Sequence, residues 1–301
     1  MEDDAIFVQI PSYRDPELPK TLVELYARAS RPSRLRTVVA WQHDDDERLD
    51  RTVRRLPGIE LIDVPASESQ GCNWARRQCQ ERWAGEPFTL LLDSHHRFAL
   101  GWDDLLLGMH AQLRQADVDK PLLTAYLPAY HPKSDPQGRQ QEPYEIHALG
   151  REEQILTRLV GRPIRDWRTL TAPIPASFLS LHFVFAAGAF NREITADPAV
   201  YFSGDEVMTG LRAFLAGYDL YHPHRLVGWH CYDRGTRAAH WDDHPGWHRL
   251  HRRSLAMMRD LYRTSAPGFG QARTVADYEA HIGMSLVADG NGVADGNGDG
   301  C

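Results

Sequence analysis

Phe88-Thr89-Leu90-Leu91-Leu92-Asp93-Ser94-His95-His96 is an apolar run that feeds straight into a carboxylate, a hydroxyl and two imidazoles. The run is short and bounded by polar residues, so it reads as a buried strand rather than a helix. In open α/β sheets, ligands bind just beyond the carboxyl ends of such strands. Asp93 and His95 are two positions apart, so on an extended chain their side chains point the same way. A carboxylate oxygen and an imidazole nitrogen placed like this can share a divalent cation. A polar loop after a strand is the plainer reading of the same residues. The metal reading needs a third ligand. His230 is a candidate, because it follows the apolar extended segment Leu226-Val227-Gly228-Trp229 and stands beside Tyr232, Arg234 and Arg237. The chain has 15 histidines, and His96, His131, His182, His222, His224, His240, His244 and His248 rival it on sequence alone. An Asp-His-His set with open positions suits Mn²⁺, and Mg²⁺ less well because of the imidazoles. Such an ion could neutralise a diphosphate.

Other charged residues have two readings each. Asp205-Glu206 opens a helix, where acids are favoured by the helix dipole. The functional reading puts Glu206 on sugar hydroxyls or near an acceptor nucleophile. Arg76, Arg234 and Arg237 are either surface charges or a phosphate clamp. No Walker A loop and no G-x-G-x-x-G follows a strand, which removes support for P-loop NTPases and Rossmann dehydrogenases. No G-x-S-x-G elbow is present.

The elements that must position these groups alternate. Ala5–Ile10 reads as a strand stopped by Pro11, Glu17–Ala29 as a helix with Leu18, Leu22, Leu25 and Tyr26 on one face, and Leu35–Gln42 and Ile59–Val64 as strands. Gly71–Trp83 reads as a helix carrying Arg76, and the opening strand follows. Strand–helix alternation of this kind predicts an α/β fold with a mostly parallel, doubly wound sheet. Its carboxyl-end loops carry Tyr13, Arg14 and Asp15, the acidic patch around Asp44, and then Asp93 and His95. A helix from Gly101 and a strand over Leu122–Leu127 come next. The proline-rich stretch 128–178 reads as a long irregular insert with one short helix near Glu152–Leu159, a substrate-side lobe. Strand character over Phe178–Phe190, a helix over Val207–Ala216, extended pieces before His230 and a last helix over Pro245–Tyr262 complete the pattern.

At 301 residues with 42% hydrophobic and 25% charged positions, the chain is long enough for a sizeable core. Its net charge of −7 argues against a general nucleic-acid binder. The start Met1-Glu2-Asp3-Asp4 lacks the charged and apolar regions of a signal peptide, and no apolar run is long enough to span a membrane. Cys72, Cys79, Cys231 and Cys301 show no disulfide-framework spacing, so a cytoplasmic, reducing setting is expected. The segment Val287-Ala288-Asp289-Gly290-Asn291-Gly292 recurs as Val293–Gly298, and residues 285–301 are expected to form a disordered tail. Asp295, Asn297 and Asp299 match only the front of a calcium loop.

Several stretches, taken in order, carry a resemblance. They are IFVQIPSYRDP (Ile6–Pro16), GCNWAR (Gly71–Arg76), LDSHHRF (Leu92–Phe98) with Gly101-Trp102-Asp103, Gly204-Asp205-Glu206, Gly217–Pro223, and His230-Cys231-Tyr232-Asp233-Arg234. The chain resembles the glycosyltransferases that add N-acetylglucosamine to polypeptides, the group typified by the Skp1 hydroxyproline N-acetylglucosaminyltransferase. More distantly it is similar to the polypeptide N-acetylgalactosaminyltransferases. The resemblance implies a GT-A fold whose catalytic domain covers 1–284, with a nucleotide-sugar-binding half at 1–110 and an acceptor-side half at 111–284. It implies a UDP-sugar donor, N-acetylglucosamine favoured, and Mn²⁺ held by Asp93, His95 and His230. It implies transfer with retention to a hydroxyl of a peptide, protein or small molecule. In that chemistry the metal and Arg234 stabilise the departing diphosphate, whose oxygen takes the acceptor proton. Tyr13, Arg14, Asp15 and Asp44 hold uridine and ribose, and Arg76 lies near the donor sugar or phosphates. Ser94 and Trp229, beside the metal ligands, count with the donor-binding set, and Asp205 and Glu206 with the catalytic one. A metal-dependent hydrolase of nucleotide diphosphates and a catalytically silent sugar-nucleotide binder are the competing functions.

Overall fold

The computed structural model describes residues 3–264 and 270–287. Strand β1 (Ile6–Tyr13) is buried along nearly its whole length, as a continuous apolar run requires of a strand covered on both faces. Helix α1 (Leu18–Ala27) buries Leu18, Leu22, Leu25 and Tyr26, the stripe its spacing predicts. Strand β2 (Leu35–His43), the single turn α2 (Arg51–Arg54), β3 (Ile59–Pro65), α3 (Cys72–Gln80) and β4 (Phe88–Leu92) complete the alternating half. β1 pairs in parallel with β2 and β4, and β2 with β3. Their carboxyl ends therefore open on one edge. Pro11 does not stop β1, contrary to the sequence reading. Beyond Gln9 the strand is paired with β2 alone, and a residue without an N–H is tolerated at such an edge.

The rest of the chain adds β5 (His96–Phe98), α4 (Trp102–Gln115), β6 (Pro121–Thr124), β7 (Tyr144–Glu152), β8 (Leu156–Pro163), β9 (Ile174–Pro175) and β10 (Phe183–Ala187). Then follow α5 (Phe190–Glu193), α6 (Asp205–Leu215), β11 (Asp219–His222), β12 (Gly228–His230), α7 (His240–Asp243), α8 (Trp247–Thr264) and α9 (Val275–Ile282). The main sheet runs β3-β2-β1-β4-β10-β6-β11-β9. β10 is antiparallel to both β4 and β6, so a mostly parallel sheet carries a reversed strand in its interior. Because β10 sits between β4 and β6, the two halves share one sheet.

The helix expected near Glu152–Leu159 does not form. That stretch is the turn and second strand of the β7–β8 hairpin. Glu153 and Gln154 take φ of 46° and 65°, so the Glu-Glu-Gln run that reads as helical supplies a turn instead. Ile155 and Leu156 are drawn into the second core, beside α6, α8 and α9, and burial there overrides local propensity. His222 ties the hairpin to the sheet: its Nδ1–H donates to the Thr124 carbonyl at 2.8 Å and its Nε2 accepts the Ile146 N–H at 3.1 Å.

Helix α9 lies beyond the last helix that the sequence reading recognised. It starts on a capping box in which the Thr274 hydroxyl accepts from Asp277 N–H at 3.1 Å and the Asp277 carboxylate accepts from Thr274 N–H at 2.7 Å. The tail boundary at 285 is a few residues early. Leu286 is 1% exposed and packs into the core around α8 and α9, and Val287 packs against the same core. Residues 288–301, which hold most of the tandem repeat, lie outside the described residues. Among the described residues no helix is long and apolar enough to cross a membrane.

Candidate active site

β4 ends at Leu92 and β5 begins at His96, so Asp93, Ser94 and His95 form a short turn at the carboxyl end of a central strand. Helix α1 holds the turn. The Thr21 hydroxyl donates to the Ser94 carbonyl at 2.8 Å and accepts the His96 N–H at 2.9 Å. β5 pairs antiparallel with β12, which sets His230 opposite His96. From there His230 Nε2 reaches to 3.3 Å from Asp93 Oδ2, and His95 Nε2 lies 3.7 Å from the same oxygen. Ligand atoms of Asp93, His95 and His230 all lie within 4.8 Å of one another. Among the described residues no other group of His, Cys, Asp and Glu gathers this way.

The donor set fits a metal ion. His95 Nε2 is buried with no hydrogen-bond partner, although its ring is otherwise anchored. His95 Nδ1 bonds the Asp15 carboxylate at 2.7 Å, and the Ser94 hydroxyl donates to the same oxygen at 2.6 Å. A carboxylate behind a ligating histidine fixes its tautomer and raises its basicity. Burial opposes charge on Asp93, yet His95 and Arg76 outweigh it and hold the carboxyl below its usual range. One ionised carboxylate and two imidazoles form a mixed oxygen–nitrogen donor set that can hold a divalent transition-metal ion.

The ligands open into a cavity of about 490 Å³ lined also by Tyr13, Arg76, Tyr201, Asp205, Glu206, Arg234 and Trp241, a volume typical of small-ligand sites. Asp205 and Glu206 are the first residues of α6. Gly204 before them sits at φ +86°, and a Cβ there would stand 2.8 Å from Met258 Sδ on α8, so glycine alone suits this turn. Arg76 Nη1 donates to Asp205 Oδ2 at 2.8 Å and to Asn73 Oδ1 at 3.1 Å, with Nη2 3.9 Å from Asp93 Oδ1. Glu206 accepts from Tyr126 O–H at 2.6 Å and from Leu181 N–H at 3.0 Å. Burial, then the neighbouring Asp205 charge, raise its pKa to about 7.

A sequence profile of the glycosyltransferase (GlcNAc) family matches residues 5–52 and 48–288, nearly the whole chain. The chain belongs to this glycosyltransferase family. Comparison with curated proteins found no match. Solved structures give the fold. A structure of GalNAc-T7 with UDP, GalNAc and Mn²⁺ aligns at a TM-score of 0.56 and 13% identity, over 93% of this chain and 55% of that one. A structure of S. aureus TarS 1–349 in complex with UDP-GlcNAc aligns at 0.50 and 15% identity, over 92% of this chain and 70% of that one. The chain thus has the GT-A fold and spans about half the length of GalNAc-T7.

The cavity of this family member gathers most of the residues nominated from its sequence, but not Arg14, Asp44 and Trp229. Trp229 points away, because alternate residues of β12 face opposite sides. Its Nε1–H donates to the Gln140 carbonyl at 2.6 Å and Arg139 stacks on its ring at 4.7 Å. Asp44 lies outside this cavity, in a separate shallow depression with His43 and Asp45, paired with Arg14 at 2.6 Å. Arg14 also bonds Asp243 of α7 at 2.8 Å, as does the Tyr13 hydroxyl at 2.7 Å. The Tyr13–Arg14 pair therefore docks α7 over the cavity. Asp15 and Ser94 line the cavity but spend their polar atoms on supporting His95. Arg234 lies 5.5 Å from the Trp241 ring centroid and 5.9 Å from that of Phe202, at the cavity wall.

Sequence reasoning missed Tyr126, Tyr201 and His182 as cavity residues. Tyr126 lies just beyond β6 and Tyr201 in a loop, with no motif to mark either. His182 was one rival ligand among many. Its Nε2 accepts the Leu127 N–H at 3.1 Å and its Nδ1 bonds the Ser180 hydroxyl at 2.8 Å, so neither nitrogen is left for a metal. His96 is also excluded as a third ligand by its placement. It is fully buried behind the turn with Nδ1 on the Asp93 carbonyl at 3.0 Å, and burial pushes its pKa down to about 3.

Proposed function

We propose that this glycosyltransferase moves a sugar from a UDP-linked donor to a hydroxyl acceptor, with retention of anomeric configuration. The observation that carries the proposal is the Asp93–His95–His230 cluster at the carboxyl end of β4, opening into the cavity of a GT-A glycosyltransferase. Two structures of the same fold, GalNAc-T7 with UDP, GalNAc and Mn²⁺ and TarS with UDP-GlcNAc, support a UDP-sugar donor, and the family supports N-acetylglucosamine as its sugar. The finer kinship with the Skp1 hydroxyproline enzymes rests on the ordered motifs from Ile6 to Arg234.

Asp93, His95 and His230 would hold a Mn²⁺ ion, which would supply positive charge for a diphosphate leaving group. Arg234, at the cavity wall, adds a second cation for that charge. Arg76 is committed to Asp205 and stiffens the wall behind Asp93. Glu206, held by Tyr126 and Leu181, faces the cavity where the sugar hydroxyls lie. The bond between the anomeric carbon and the diphosphate oxygen breaks with its electron pair going to the phosphate. The acceptor oxygen forms the new bond on the same face, and its proton passes to the leaving phosphate oxygen. The acceptor is a hydroxyl of a peptide, a protein or a small molecule, approached from the 128–178 side. A reducing, cytoplasmic setting is part of this reading and rests on the cysteine spacing in the sequence.

The test is a screen of UDP-sugars with Mn²⁺, read by UDP release with and without acceptor extracts and by mass spectrometry of the product. The expected result is acceptor-dependent transfer, strongest with UDP-GlcNAc, and its loss in Asp93→Asn. Equal release of sugar or UMP without acceptor would make the protein a hydrolase.

A further inference from the structure

The two imidazoles of the metal cluster are oriented by different means. His95 is held through Nδ1 by the Asp15 carboxylate. His230 has no such partner: its Nδ1 is buried without a hydrogen bond. Apart from Asp93 at Nε2, the His230 ring meets other rings, with His95 and His96 tilted against it at 4.6 and 4.9 Å. His182 stacks on it with centroids 4.1 Å apart and planes at 18°, and Tyr232 meets it edge-on at 4.4 Å and 68°.

We propose that His182 is a positioning residue for His230, acting as a fixed flat plate that sets the plane of the third metal ligand. The plate is pinned at both edges. The Leu127 N–H can only donate, so His182 Nε2 is an acceptor and the ring proton sits on Nδ1, directed at Ser180 Oγ. The same Ser180 oxygen also accepts the His182 backbone N–H at 3.3 Å. On the other side, the Leu127 carbonyl accepts from the Tyr232 hydroxyl at 2.7 Å. One backbone residue thus anchors the two rings nearest to His230. The neutral, fully bonded imidazole cannot compete for the ion and cannot rotate without losing two hydrogen bonds. The inference rests on the metal reading of Asp93, His95 and His230.

The experiment measures Mn²⁺ affinity by electron paramagnetic resonance of the free ion, together with the metal-free thermal midpoint, for wild type, His182→Ala and His182→Phe. Both variants lose the acceptor for the Leu127 N–H, so both midpoints fall. Only His182→Ala loses the plate. Its Mn²⁺ affinity is expected to drop about 10-fold, the lower end for groups that orient a ligand, while His182→Phe stays within about 3-fold of wild type. In turnover, the Mn²⁺ concentration for half activation shifts with the same pattern while kcat at saturating Mn²⁺ is largely kept. Unchanged affinity in His182→Ala overturns the proposal, and so does a His182→Phe variant as weak as His182→Ala. A wild-type chain that binds no Mn²⁺ overturns the metal reading itself, and this proposal with it.

Discussion

His95 gives its Nδ1 to Asp15 at 2.7 Å, and the nitrogen left over is the one that faces Asp93 and His230. Asp15 sits at the end of β1 and His95 at the end of β4, two strands paired in parallel. The pairing brings a carboxylate behind a histidine that is far from it in sequence. Asp15→Asn keeps the shape and removes the charge. Mn²⁺ affinity is expected to fall by about 10- to 100-fold with the metal-free circular dichroism unchanged. Calorimetric titration with Mn²⁺ checks this, and wild-type affinity in the variant would mean that Asp15 plays no part in orienting His95.

Arg76 and Asp205 form a buried ion pair between α3 and α6. Removing one partner leaves the other charge uncompensated. Arg76→Met should therefore cost about 3–5 kcal/mol of stability, while Arg76→Met with Asp205→Asn recovers a large part of it. Urea unfolding of the two single variants and the double variant measures the coupling. A double variant no more stable than Arg76→Met would show that the two side chains do not act as a pair.

Glu206 makes stability depend on pH. Burial and Asp205 raise its pKa in the folded protein to about 7 from 4.5, so the fold favours the protonated carboxyl. That contribution is complete below about pH 4.5 and is lost as the pH rises through about 7. Glu206→Gln is neutral throughout and should lack the loss. Between about pH 5 and about pH 8, wild type should lose stability relative to the variant by at most ~3 kcal/mol. Water in the cavity reaches the half-buried side chain and reduces that figure. Urea midpoints at the two pH values test it, and parallel curves for the two proteins would count against the raised pKa.

Leu286 shows how far the packed chain extends. Its side chain is almost fully buried against the core of α8 and α9. Leu286→Ala is expected to cost about 2–5 kcal/mol in chemical denaturation. A neutral result would support the sequence-based boundary at 285 instead.

Much of the alternating half is legible in the sequence because local patterns carry it. The apolar runs of β1, β2 and β4 are buried on both faces, and the stripe of α1 follows helical spacing, so composition alone predicts them. Asp93 and His95 are legible for the same reason: they end an apolar run, where a parallel sheet exposes its loops. The hairpin over Tyr144–Pro163 is not legible. Its Glu-Glu-Gln turn has helical propensity, and only contacts with α6, α8 and His222 hold it as strands. Helix α9 and the packing of Leu286 likewise depend on a core assembled from distant segments.

At the site, the chain's own order of residues establishes which chemical groups are available: a carboxylate, imidazoles, an acid pair and scattered arginines. It leaves many histidines equal. The pairing of β5 with β12 selects among them, because antiparallel register puts His230 beside the Asp93 turn and alternation along β12 turns Trp229 away. The same tertiary contacts put Asp15 behind His95, send Arg14 to α7, and stack His182 on His230. Local pattern reports what a residue can do. Which residues meet is a matter of long-range pairing and burial, and no window of neighbouring residues contains it.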